Sequence, residues 1–114
     1  MERYIPYRRV SAASDNLVQV VAQSGEVGYI EATNINAAIR YLHLFDSLVA
    51  PTLGTTVPIL TVGLPGAATG GKASLVPAGG IRFELGLYIA ITTTINGATG
   101  NVAANEQVVN LGWS

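Results

Sequence analysis

A chain of 114 residues is the size of one domain, and surface scaling has it bury about two-thirds of its unfolded area, enough for a core of its own. Charged residues make up 11% and hydrophobic ones 49%, where an average soluble chain is about 25% charged, so much of the surface is neutral or apolar and calls for a partner. The net charge of −1 excludes a bulk field for phosphates, and the absence of Cys excludes disulfides and thiolate metal sites.

The first ten residues interleave Tyr4 and Tyr7 with Arg3, Arg8 and Arg9, half of the six basic residues of the chain. Pro6 opposes helix and favours an extended course. Ten extended residues reach about 33 Å. The expectation is an extended N-terminal arm, residues 1–10, that leaves its own domain and docks in trans on a sister subunit or a shell. The tyrosines would anchor it and the arginines would pair with carboxylates; the plain alternative is a solvated tail. No apolar stretch here has the form of a secretory signal.

Residues 11–16 read as a turn, 17–23 as a strand, and 27–33 as another in which Val27, Tyr29, Glu31 and Thr33 alternate with Ile30 and Ala32. The short gap at 24–26 suits a hairpin between them. After a turn at 34–36, residues 39–45 alternate and carry aromatics, which favours a strand over the short helix that Ala, Leu and Arg would allow. Pro51 and Gly54 make 46–56 a loop. Residues 58–64 form a strand that Pro58 assigns to a sheet edge; 65–72 is a Gly-rich loop and 73–76 a short strand.

The longest apolar alternation, residues 80–95, should form the centre of the core. Ile81, Phe83, Leu85, Leu87, Ile89 and Ile91 are expected to be buried, with Gly86 breaking the alternation so that both halves point inward. Asn96-Gly97 marks a turn, 101–105 a loop, and 107–113 the closing strand. The uncharged runs 47–71 and 85–105 are too broken by Pro, Thr and turn residues to span a membrane. The predicted fold is an all-β, jelly-roll-like antiparallel β-sandwich of about eight strands, with residues 11–114 as the single domain beyond the arm.

Chemistry-bearing patterns are sparse. Gly66 to Lys72 has the spacing of a phosphate-binding GxxxxGK loop, but Ala73 stands where a magnesium-binding hydroxyl is needed. The following Pro77 and Gly79-Gly80 leave no room for the required helix. His43 is the only histidine, so a multi-His metal site is excluded. Asp46 and Ser47 lie near it in sequence, yet on a strand entering a loop the three side chains diverge; Asp46 reads as a turn former bonding its own loop. No two carboxylates share an obvious face, and Trp113 and the tyrosines suit packing better than a sugar site. The residues assign no catalytic, metal or cofactor role and no nucleic-acid or membrane partner, and an enzyme is not expected.

Five segments carry a resemblance: SAASDN at 11–16, NAAIRYLHLFD at 36–46, APTLGTTVPILTVGLP at 50–65, GGIRFELGLYIAIT at 79–92 and VVNLGW at 108–113. Together they resemble small virion proteins of tailed bacteriophages of the head-decoration (cement) type. Thr56-Val57 departs from the Asp-Thr that the family loop tends to carry, and residues 1–10 lie outside the similarity. The resemblance implies a structural protein on the capsid surface, a homo-oligomer with a trimer preferred, binding the major capsid protein and stabilising its lattice. A second reading, a small lectin-like module for host surface glycans, requires exposed aromatics and polar groups in one loop cluster.

Overall fold

Nine strands and one three-residue 3-10 turn make up the regular backbone of the computed structural model, which describes residues 3–13, 16–98 and 102–114. Residues 1 and 2 of the expected arm, 14 and 15 of the first turn and 101 of the last expected loop lie outside the described residues. The strands are β1 (Ile5–Val10), β2 (Leu17–Val21), β3 (Gly25–Asn34), β4 (Arg40–Asp46), β5 (Leu60–Leu64), β6 (Lys72–Leu75), β7 (Ile81–Phe83), β8 (Leu87–Thr92) and β9 (Gln107–Trp113). One antiparallel sheet has the order β1-β9-β3-β6, with β7 also paired to β3; the other has the order β2-β8-β4-β5.

The pairings are nested. β4 pairs with β5, β3 with β6, β2 with β8 and β1 with β9. The chain is therefore one long antiparallel ribbon bent at residues 47–59, and successive pairs of the ribbon fall into alternate sheets. Contacts β3–β9 and β4–β8 then join the pairs within each sheet. This is a jelly roll, the expected sandwich, with β7 as the ninth strand. The 39–45 segment is strand β4, and β5 lies at a sheet edge, both as expected.

Three expectations give way. Within the expected arm of residues 1–10, Ile5–Val10 do not leave the domain but form β1, which runs antiparallel to β9 from Ile5 opposite Trp113 to Val10 opposite Val108. Pro6 and the arginines are tolerated because β1 is an edge strand, where a missing donor and solvated charges are harmless and discourage further pairing. Second, β2 and β3 form no hairpin: the chain crosses from one sheet to the other between them. Third, Leu85 is 52% exposed, while Phe83, Leu87, Ile89 and Ile91 are fully buried and Ile81 is half-buried.

The reason for the third is a corner. β7 belongs to one sheet and β8 to the other, so residues 84–86 cross the gap and Leu85 points off the turn. Gly86 is required by crowding: a Cβ there would stand 2.8 Å from the Ser47 carbonyl oxygen and 3.0 Å from that of Val21. Asp46 fixes the corner, its carboxylate accepting the N–H groups of Glu84 and Leu85 at 2.8 Å each and of Gly86 at 3.5 Å. Its bonds thus go to this distant corner and not to its own loop. Asp46→Ala should cost about 1–2 kcal/mol by removing a charged acceptor from a partly solvated turn; a urea-melt difference below about 0.5 kcal/mol would show the corner holds without it.

The core between the sheets is aliphatic around Phe83: Val27, Ile30, Leu42, Leu44, Leu64, Leu87, Ile89, Ile91, Val109 and Leu111. Val27 and Ile30 both face inward although three positions apart, because the β3–β9 register shifts between Val27 and Tyr29 and the extra residue, Gly28, reverses the alternation. In β4 all of Leu42–Phe45 is buried. Leu42 and Leu44 fill the core. His43 and Phe45 lie on the outer face, where Gly97 of the 93–98 segment packs on the imidazole. The 47–59 loop meets that segment where Gly54 abuts Ala98.

Candidate functional site

Period-two alternation divides the five residues expected to bind a partner. Tyr7 packs against the core, and Arg9 reaches Asn16 Oδ1 at 3.4 Å with its Nε buried. Burial pushes the Tyr7 phenol above its ordinary range, offset in part by the positive charge of Arg9. Arg8 is exposed opposite Asn110, and Arg3 is exposed just before β1. Tyr4 lies over Gly28, where a Cβ would collide with its ring, and stands edge-on to Tyr29 with centroids 6.3 Å apart. Three of the five, Tyr4, Tyr7 and Arg9, therefore engage their own domain, and Arg3 and Arg8 are left exposed.

His43, Asp46 and Ser47 are each engaged separately. Asp46 holds the 84–86 corner, and Ser47 Oγ donates to the Val49 carbonyl at 2.6 Å. Desolvation alone would raise the Asp46 pKa, but the three backbone N–H groups outweigh it and hold the carboxyl below its usual range. His43 is fully buried, with Nδ1 2.9 Å from Thr61 Oγ1 and Nε2 2.8 Å from Thr92 Oγ1. Thr92 spends its hydroxyl proton on the Thr94 carbonyl at 2.8 Å, so it accepts from Nε2–H and leaves Nδ1 to accept from Thr61.

Burial pushes the His43 imidazole below its ordinary pKa, against a smaller opposing pull from the Thr94 carbonyl. The unfolded chain then binds its proton at a higher pH than the folded one. Stability is complete above the unfolded pKa of about 6.5 and falls as pH drops below it, until the folded pKa is reached, with a slope of at most about 1.4 kcal/mol per pH unit. Since His43 is the only histidine, urea melts at pH 7.5, 6.5 and 5.5 should isolate its effect. His43→Gln should flatten the profile; an unchanged profile would assign the decline to other groups.

One end of the sandwich is closed by amides and a hydroxyl that the sequence offers only as turn residues. Asn34, 1% exposed, donates from Nδ2 to the Ala38, Leu64 and Pro65 carbonyls at 3.0–3.1 Å. Its Oδ1 accepts from Asn36 N and Gln107 Nε2. Ser11 Oγ donates to the Ala103 carbonyl at 2.8 Å and accepts from Glu106 N and Gln107 N, both at 3.1 Å. The glycines of the GxxxxGK spacing belong to this plug: the Gly71 carbonyl accepts from Asn34 N, and the loop runs through the 3-10 turn Ala67–Thr69 into strand β6.

The opposite end is open. Two shallow cavities flank Glu26 there, one of about 210 Å³ beside Arg82 and one of about 270 Å³ between Tyr4 and residues 76–80. Leu48, Val49, Val57, Ile59, Val76 and Leu85, 42% to 84% exposed, all belong to segments that leave the strands at this end. Among the described residues no three His, Cys, Asp or Glu side chains gather where they could hold a metal ion, and no helix is long and apolar enough to cross a membrane. No family model matches the chain, and no curated protein or solved structure shows significant similarity to it.

Proposed function

We propose that the chain is a structural subunit that works by assembly: a virion decoration protein that forms a homo-oligomer, a trimer, and stabilises the lattice of a major capsid protein on the capsid surface. The observation that carries this reading is exposed aliphatic surface. Val57 is 84% and Val49 73% exposed at the open end, and Ile35 and Ile95 are 62% and 70% exposed on segments leaving the other end. Sister copies and the shell cover them. Scarcity of ion pairs among the described residues fits: Arg82 with Glu84 at 3.3 Å is exposed on both sides and contributes little. The phage resemblance supplies the setting.

Light scattering at tens of micromolar, then co-sedimentation with capsids lacking the protein, tests the reading. Trimers that persist in 1 M salt, where the screening length is about 3 Å, and that pellet with the capsids are expected. Val49→Glu with Val57→Glu should dissociate them while leaving the fold intact, because neither side chain is in the core. A monodisperse monomer that does not pellet overturns the proposal. The glycan-binding alternative has less behind it, since the open end offers Tyr4 and Glu26 but no side-chain amide in either cavity.

A further inference from the structure

The larger cavity lies between the N-terminal segment and the turn from β6 to β7, and Glu26 is its only charged wall; Tyr4, Val76, Pro77 and glycines 28, 79 and 80 complete it. Three glycines in the wall leave backbone where side chains would fill the space. Glu26 is half-buried, with Oε2 set against Gly80 so closely that a Cβ on Gly80 would collide with it. The carboxylate makes no hydrogen bond or ion pair with any described residue. The nearby basic side chain on the paired strand, Arg82, turns instead to Glu84.

A half-buried carboxylate with no donor among the described residues is matched by a charged donor carried on a ligand. A tyrosine ring beside it adds attraction for a cation, and the Val76 and Pro77 wall suits the methylene stem that carries one. We infer that this cavity binds an organic cation, an ammonium or guanidinium group on a short apolar stem. A sugar fits less well, because apart from the Tyr4 hydroxyl no side chain here can donate to its oxygens. Val76 belongs both to this cavity and to the surface assigned above to sister copies, so the site is read in the Val49→Glu, Val57→Glu chain, which does not assemble, and its failure there is distinct from a failure of the trimer.

The test is an NMR titration of the 15N-labelled chain with n-butylammonium, with N-acetyl-arginine amide, and with a short peptide holding one arginine. Saturable shifts at the Gly28, Gly79 and Gly80 amides are expected, with dissociation constants on the order of millimolar, weakening in high salt. Glu26→Gln, nearly the same shape, should weaken binding at least about tenfold. Tyr4→Leu, which still covers Gly28, should weaken it roughly two- to fivefold. Glu31→Gln, removing the same charge from an exposed site on β3, should change nothing. Tighter binding of the peptide than of the free amino-acid amide assigns the cation to a protein partner; equal binding assigns it to a small molecule. Absence of saturation overturns the site, as does unaltered affinity in Glu26→Gln. A saturable response to lactose that survives Glu26→Gln overturns the cation in favour of a glycan.

Discussion

Phe83→Ala should lower stability by about 3–5 kcal/mol, which in a domain of this size takes roughly 12–20 °C from the melting temperature. The ring is fully buried at the last position of β7. It is the one aromatic ring in the cluster of fully buried side chains between the sheets. It also packs on Gly25, where a Cβ would stand 3.0 Å from its Cζ. The cavity left by alanine lies under the corner at 84–86, so the neighbouring strands cannot close over it without giving up the crossing from one sheet to the other. Calorimetry on the purified variant decides the matter, and a loss below about 1 kcal/mol would put the ring outside a packed core.

Removing residues 2–9 should be nearly as damaging. The deletion takes five of the six register pairs that β1 makes with β9. Interstrand hydrogen bonds contribute about 0.5–1.5 kcal/mol net each, and Tyr7 is stripped from the margin of the core. A loss of at least about 3 kcal/mol is expected, about 12 °C or more in melting temperature. β9 would also become a bare edge carrying Val109 and Leu111, which invites aggregation. Unchanged melting and solubility in the truncated chain would return the segment to the status of an appendage.

The contrast shows what the sequence makes legible. Alternation at 81–83 and 87–91 names the buried residues because each half has one face on the core. It misplaces Leu85 because a crossing between sheets keeps the apolar letter and changes the direction. An edge strand such as β1 carries Pro6 and three arginines in or beside it for the same reason a free arm would, since both live partly in water; only the partner strand, about a hundred positions away, tells them apart. The nested pairing is equally invisible from local pattern, which yields strands and turns but not which strand lies opposite which. The candidate site fares worst. Glu26 reads as one more scattered carboxylate until the fold sets it against Gly80 and beside Tyr4, and Asn34 and Ser11 read as turn residues until four loops converge on them.

The nesting of the ribbon bears on how the chain finds its fold. Taken as bare separations in sequence, Ile5 opposite Trp113 is among the most distant pairings the chain can make, and such topologies fold slowly. Once β4 and β5 have met across the 47–59 bend, however, each further pair has only a short connection on either side to close, so the entropic cost of a long loop arises once. The bend is then the place where folding is decided and the two outermost strands are the last to arrive. In chevron kinetics Leu42→Ala on β4 should chiefly slow folding, whereas Tyr7→Ala on β1 should chiefly speed unfolding. A chain built this way begins to come apart at its two ends together, long before its centre lets go.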